Sequence, residues 1–260
     1  MKPELHALWI GGNLSKVEQI CLSSFVKHGH TVNLYHYEEI TNAPDGVNLI
    51  DGNTVVSSDE IYTYPNGSYS AFSNLFRWEV LYQKGGCWID TDMICIRPFD
   101  FDSEVIFGWQ DTETINGAVV GYPKGHETPK YLAYLCRNPN TLLPYDKPGH
   151  KLRKFIRKYL QGNKRGNIKW GEGGGVQGFS KYVQYTGESK LAHNYLAFYP
   201  VHAKCWGALF DGTITLESPV IAQSYGVHLW NENLRKTSFG KNGPFPEKSF
   251  IAECERKFLG

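Results

Sequence analysis

Asp90 and Asp92 end the segment Gly85-Gly86-Cys87-Trp88-Ile89-Asp90-Thr91-Asp92, two carboxylates two residues apart after a short apolar run. In an extended backbone, residues i and i+2 project from one face, so both carboxylates leave one strand end together. That arrangement suits a hard divalent cation that also holds phosphate oxygens. Mg²⁺ in particular is usually bound by one or two carboxylates plus substrate phosphates, not by an all-protein cage. The chemistry the pair points to is metal-assisted handling of a phosphorylated substrate. An Asp-x-Asp alone recurs by chance. This one follows a helix, a Gly-Gly break and an apolar strand, where α/β sheets place their ligands.

The positioning elements follow from periodicity. Leu5–Ile10 reads as a buried strand ending at Gly11-Gly12. Ser15-x-x-Glu18 is a capping-box pattern opening a helix to about His28, with Val17, Ile20, Cys21, Ser24 and Phe25 on its buried face. Thr31–His36 alternates as a strand, and Gly46–Val56 supplies another with a turn at Asp51-Gly52. This β-α-β opening predicts a mostly parallel central sheet flanked by helices, with its ligand site at the strand carboxyl ends. Ser70–Lys84 has the clearest helical spacing, and Gly85-Gly86 ends it. Cys87–Ile89 and Met93–Ile96 are strands on either side of the Asp pair. Glu104–Trp109 and Ile115–Gly121 follow as strands. Helices are expected at Thr128–Cys136, His150–Gln161, Val176–Tyr185 and Glu247–Leu259.

Composition removes several classes. Hydrophobic residues make up 41% and charged residues 20% of 260 positions, which is globular and not disordered. A formal net charge of +1 gives no reason to expect nucleic acid. The six cysteines, Cys21, Cys87, Cys95, Cys136, Cys205 and Cys254, show no C-x-x-C or zinc-type spacing. They read as buried thiols in a reducing compartment. The first residues lack the apolar core of a signal peptide, and no run approaches the roughly 18 apolar residues of a membrane span. A cytoplasmic protein is expected.

Ser73-Asn74-Leu75-Phe76-Arg77, followed by Leu81-Tyr82-x-x-Gly85-Gly86-x-x-x-Asp90-x-Asp92, resembles the sugar-binding segment of D-x-D glycosyltransferases. The nearest group is family 32, with the related catalytic domains of glucosylating bacterial toxins. Leu8-Trp9-Ile10-Gly11-Gly12 is similar to the first strand of that group. His228-Leu229-Trp230-Asn231 is similar to the C-terminal segment of α1,4-galactosyl- and N-acetylglucosaminyltransferases.

The resemblance implies a GT-A fold in a single domain. Residues 1–125 would form the nucleotide-sugar half, and 126–260 the acceptor-side half with a C-terminal loop. It implies a UDP-sugar donor, Mn²⁺ or Mg²⁺ as cofactor, and transfer of a hexose or N-acetylhexosamine with retention, giving an α-linkage. The acceptor would be a glycan or lipid-linked glycan, in bacterial surface polysaccharide or lipopolysaccharide synthesis, or, through the toxin resemblance, a protein. Residue by residue, Trp9 matches the position that stacks on uracil, with Ile10 beside it on the nucleotide side. Asp90 matches the carboxylate that contacts ribose and sugar and reaches the metal through water. Asp92 matches the direct metal ligand, and Arg77 an arginine that holds donor sugar or phosphate. His228 would complete the metal shell or donate to the diphosphate, and Trp230 would cap the donor from a mobile loop. Asn74 stands where the group usually has Asp. An amide donates as well as accepts, so donor-hydroxyl recognition is left open.

Two other classes fit an Asp-x-Asp. A phosphatase or phosphotransferase would use Asp90 as nucleophile and Asp92 as general acid, but usually carries the motif after the first strand of the chain. A non-catalytic sugar-binding module would not need Trp9, Arg77 and the Asp pair converging on a diphosphate. Glu172, Asp111 and Glu113 are the candidate carboxylates for a double displacement, each reading more simply as solvated loop charge. Front-face substitution, with the leaving phosphate taking the acceptor proton, needs none of them.

Gly171-Glu172-Gly173-Gly174-Gly175 before a helix reads either as a phosphate cradle or as a flexible loop; it also weakly resembles the family's Gly-rich acceptor-side loop, where close backbone approach to a sugar needs small residues. Asn116-Gly117 reads either as a pair that orients the donor or, more simply, as a hairpin turn. Residues 151–165 combine seven basic residues with an apolar stripe of Leu152, Phe155, Ile156, Tyr159 and Leu160. This is either a solvated helix face or a basic amphipathic helix in weak peripheral contact with the inner membrane face. His28-Gly29-His30 falls at a helix-to-strand turn and is assigned no role.

Overall fold

The computed structural model describes residues 2–234 and 240–260. The chain opens with β1 (Leu5–Trp9), α1 (Lys16–Lys27), β2 (Val32–His36) and β3 (Val47–Asp51). Helix α2 (Ser70–Lys84) leads into β4 (Cys87–Ile89) and β5 (Met93–Cys95), then β6 (Ile106–Trp109) and β7 (Ile115–Gly121). Next come α3 (Glu127–Arg137), α4 (Pro148–Leu160), α5 (Val176–Thr186), a short α6 (Pro219–Ala222), β8 (Gly226–His228), α7 (Asn231–Leu234) and α8 (Phe250–Phe258). Each strand and each longer helix expected from periodicity is found within a few residues of its place.

Six strands form one sheet in the order β3-β2-β1-β4-β7-β6. The pairings β3–β2, β2–β1 and β1–β4 are parallel, and β7 runs antiparallel to both of its neighbours. Alternation along the central strands sends side chains to two separate cores. Leu8, Trp88 and Val120 pack with Phe72, Phe76 and Trp78 of α2 and with Phe179 of α5. Leu5, Ala7, Cys87 and Ile89 face the opposite side, with Leu22 and Phe25 of α1. The result is three layers, helix–sheet–helix. A third cluster joins Val17, Ile20 and Cys21 of α1 to Ile251 and Cys254 of α8.

The Gly-Gly break has a steric reason. Gly85 and Gly86 lie at φ 77° and 80°, a region open to glycine and costly to other residues. A Cβ on Gly86 would sit 2.6 Å from the Glu4 carbonyl. The pair thus ends α2 and lets β4 pass close beside β1. Asn116-Gly117 is not a turn. Both residues lie inside β7, and the hairpin closes at 110–114, where Gln110 N–H donates to Thr114 O at 2.7 Å. Five cysteines are buried as expected, while Cys205 is exposed. Among the described residues, no helix is long and apolar enough to cross a membrane.

Candidate active site

The site gathers at the carboxyl end of β4. Asp90 N–H donates to Ala118 O of β7 at 2.8 Å, and Met93 N–H closes a turn on Asp90 O at 3.1 Å. This tight turn presents Asp90 and Asp92 together before β5 departs. β5 pairs antiparallel with β8, with Met93 opposite His228, and Leu229 N–H donates to Asp92 O at 3.0 Å. A C-terminal strand thereby carries His228 to a motif far from it in sequence.

Side-chain ligand atoms of Asp90, Asp92 and His228 all lie within 4.8 Å of one another. Asp92 Oδ1 is 3.2 Å from His228 Nε2, and Asp92 Oδ2 accepts the Asn231 N–H at 2.9 Å. Asp92 and His228 are buried. Burial pushes the Asp92 carboxyl up and the His228 imidazole down, but each is outweighed by the other. His228 and the Asn231 N–H hold Asp92 below the usual carboxylate range, and Asp92 holds His228 above its ordinary value.

The donor set fits a six-coordinate divalent ion. Two ligands at right angles on an ion about 2.1 Å away stand about 3 Å apart, close to the Asp92–His228 separation. Three protein groups leave positions for substrate oxygens and water.

Arg77 lies deep beside this cluster. Its Nη2 donates to Asp90 Oδ1 at 2.9 Å and its Nη1 to Asn74 Oδ1 at 2.9 Å. Trp88 Nε1 donates to the same Asp90 oxygen at 2.6 Å. The guanidinium lies 5.1 Å from the Trp88 ring centroid, so its position is fixed by two hydrogen bonds and an aromatic neighbour. Gly117 makes room for it: a Cβ there would stand 2.9 Å from Arg77 Nη1.

Trp9, at the end of β1, is half-buried and donates its indole N–H to Gly12 O at 3.1 Å. Ile10 packs against the α2-side core. Trp9 is tied to the cluster through Glu18. This fully buried carboxylate caps α1 by accepting Ser15 N–H at 3.1 Å. Its other oxygen accepts from Asn231 Nδ2 at 3.0 Å and from Lys241 Nζ. The Lys241 ammonium lies 5.5 Å from the Trp9 ring centroid.

Trp230 is packed, not looped out. It is buried against His228, with ring centroids 4.2 Å apart, and donates its indole N–H to Val201 O at 2.9 Å. Its backbone sits at φ 58°, an unusual conformation for a bulky residue. In this structure Trp230 is thus packed beside His228 and not held on an open loop.

Three residues beside the site received no role from the sequence, Asn231 being quoted only within the C-terminal patch. Asn231 and Lys241 act through contacts that no spacing announces. Tyr64 accepts the Gly171 N–H at 3.2 Å on its hydroxyl and lies beside the Asn74 side chain, between α2 and the Gly-rich loop. That loop is anchored too, since Gly174 O accepts the Trp78 indole N–H at 2.6 Å. Of the three candidate nucleophiles, Glu172 is not a solvated charge: it is buried and paired with Arg157 at 2.7 Å. Asp111 Oδ1 accepts the Glu113 and Thr114 N–H groups of its own turn. Glu113 is exposed.

Residues 17–110 match the glycosyltransferase sugar-binding region containing the DXD motif, and residues 187–253 match the alpha 1,4-glycosyltransferase conserved region. The first segment contains Asn74, Arg77, Asp90 and Asp92, and the second contains His228, Trp230 and Lys241. No curated protein matches the chain. Among solved structures, the chain is similar to one titled PaToxG Glycosyltransferase, with 14% identity over 73% of this chain and 71% of that one and a TM-score of 0.48. The two family matches bear out the resemblance to D-x-D and α1,4-glycosyltransferases, and the mostly parallel sheet between helical layers is the α/β arrangement expected of a GT-A fold.

Proposed function

We propose that this D-x-D glycosyltransferase moves a hexose or N-acetylhexosamine from a UDP-sugar to a glycan acceptor, with retention and with Mn²⁺ or Mg²⁺ bound. The observation that carries this reading is the convergence of Asp90, Asp92 and His228 beside the buried Arg77, at the strand end next to Trp9. Asp92 and His228 would hold the ion and Asp90 would complete the set. The imidazole in an otherwise oxygen-donor set favours Mn²⁺ as the borderline ion. When bound, the ion would neutralise charge on the diphosphate as the glycosidic C–O bond breaks.

The protein's own groups have separable tasks. Trp9 offers a flat face for the uracil, and Lys241 beside it a cation for the nucleotide. Arg77 aims a planar, always-charged fork at oxygen atoms, and Asn74 is oriented by its hydrogen bond from Arg77 to meet sugar hydroxyls. Residues 1–125 would form most of the donor half. His228, Asn231 and Lys241 would reach back from the acceptor-side half, whose Gly-rich loop at 171–175 faces the acceptor. In the transfer, the acceptor oxygen bonds to the anomeric carbon on the face from which UDP departs, and its proton passes to the leaving phosphate oxygen. The engagement of Glu172 with Arg157 and of Asp111 with its own turn supports this front-face route over a protein nucleophile. Assembly of a bacterial surface polysaccharide or lipopolysaccharide is the pathway we infer.

Titrating UDP with and without Mn²⁺ tests the reading. Metal-dependent binding that Asp92→Ala abolishes is expected. Metal-independent binding of free sugar but not UDP would instead indicate a sugar-binding module, and a phosphorylated Asp90 a phosphatase. Retention is checked by NMR of the transferred sugar. Loss of turnover with intact UDP binding in Glu172→Gln or Asp111→Asn would overturn the front-face route.

A further inference from the structure

Helix α4 sits the opposite way round from an ordinary surface helix. Two of its charged residues point into the protein. Lys154 is buried, donating to Asp146 Oδ2 at 2.7 Å and to Thr141 O at 2.9 Å. Arg157 pairs with Glu172 at 2.7 Å, both side chains about 10% exposed (11% and 9%). The apolar stripe faces outward: Leu152, Phe155, Tyr159 and Leu160 are 50–74% exposed. The rings of Phe155 and Tyr159 lie 4.8 Å apart. Buried charges are costly unless paired, so rotating α4 to hide its apolar side would break both ion pairs and strand Asp146 and Glu172. The two pairs therefore fix the apolar side in solvent.

The charge around this face defines what covers it. Residues 138–187 contain ten lysines and arginines against two acids, Asp146 and Glu172, and both acids are taken up by the internal pairs. Arg165 pairs with Glu60 from outside the segment at 3.1 Å; the cations flanking the apolar stripe, Lys151, Arg153 and Lys158, meet no acid of this segment, on a chain whose formal charge is only +1. At about 100° per residue, the outward stripe is bordered by Arg153 on one side and by Lys151 and Lys158 on the other. The Lys158 ammonium lies 5.4 Å from the Tyr159 ring centroid. Trp170, 62% exposed, follows in the next loop. An apolar ridge with cations on both flanks is the geometry of a helix lying in a headgroup plane.

We propose that α4 docks this protein on an anionic lipid surface, with Leu152, Phe155, Tyr159 and Leu160 in the headgroup–acyl boundary and the flanking cations on lipid phosphates. The inference stands on the orientation of α4 and not on the transferase reading. If both hold, Arg157–Glu172 connects the docked helix to the Gly-rich loop beside α2, which would bring a lipid-borne acceptor to the acceptor side.

Sedimentation with vesicles tests it, using phosphatidylcholine alone and phosphatidylcholine mixed with phosphatidylglycerol. The full chain is expected to pellet with the mixed vesicles only, and less as salt rises. Phe155→Ser with Tyr159→Ser should abolish pelleting. Lys151→Gln and Lys158→Gln should each weaken it roughly fivefold, the effect of one cation near an anionic surface. An unchanged circular dichroism spectrum and melting temperature for each variant show an intact fold, a control that does not depend on the transferase reading. Equal recovery with the two vesicle types, or pelleting unaffected by the serine pair, overturns the proposal. So does a dimer in sedimentation equilibrium that the serine pair converts to monomer, since the face would then join two copies of the chain.

Discussion

Replacing Gly117 by alanine tests the placement of Arg77 without changing any charge. Gly117 lies inside β7, outside the left-handed region, so its backbone accepts alanine. The added methyl would stand 2.9 Å from Arg77 Nη1 and 3.4 Å from Cζ. Non-bonded heavy atoms prefer about 3.5 Å or more, so the guanidinium must retreat by roughly 0.5 Å. That motion pulls against its bonds to Asp90 and Asn74, both 2.9 Å long, and misaims the fork. A hydrogen bond to a charged group is worth about 1.5–3 kcal/mol, so losing one to the donor corresponds to roughly 10- to 150-fold in kcat/KM. The displaced atom ends a flexible side chain, so the melting temperature should change little. The assay, on the proposed donor class, is hydrolysis of UDP-glucose, UDP-galactose and their N-acetyl forms, alongside Arg77→Lys and thermal unfolding. Should Gly117→Ala and Arg77→Lys both retain parental kcat/KM, Arg77 would have no part in donor binding or transfer.

Three further outcomes are expected. His228→Ala should weaken Mn²⁺ binding, read by calorimetry with UDP present, by more than it weakens UDP binding without metal; equal losses would make His228 a diphosphate contact and not an ion ligand. Glu172→Ala strands Arg157 and should cost about 3–5 kcal/mol in urea unfolding, against a much smaller cost for Glu172→Gln; a neutral Glu172→Ala would mean the buried pair is not formed. Acid sensitivity should come from His6, held at about 4 by burial against an ordinary 6.5. The unfolded chain then takes up its proton first, so stability is full above pH ~6.5 and falls toward pH ~4, by on the order of 3 kcal/mol for this group. His30, also at about 4 mainly through burial, accepts the Phe99 N–H at 2.9 Å and adds in the same direction. A stability flat between pH 7 and pH 4.5, or unchanged in slope by His6→Asn, would remove the buried histidines as the cause.

What the sequence determined is local. Helix α2 and its end at Gly85-Gly86, the three-residue strand β4 and the Asp90/Asp92 turn are written in consecutive residues whose periodicity and backbone freedom have one reading. The match of short patches to a family rests on the same contiguous residues, so the D-x-D segment is legible in the amino-acid sequence alone. Tertiary structure decided whatever depends on residues far apart in the chain. Only the antiparallel β5–β8 pairing sets His228 against Asp92, and only the packing of the C-terminal segment on α1 turns the capping-box Glu18 into an acceptor for Asn231 and Lys241. Gly117 reads as a turn in sequence because Asn-Gly favours turns locally; the fold uses it in a strand, where the absent side chain houses Arg77. Helix α4 gives the sharpest contrast. Its amphipathic pattern is plain in the sequence, but a pattern is symmetric between facing in and facing out. The choice was made by Asp146 and Glu172, which hold Lys154 and Arg157 inside and leave the apolar side to the solvent.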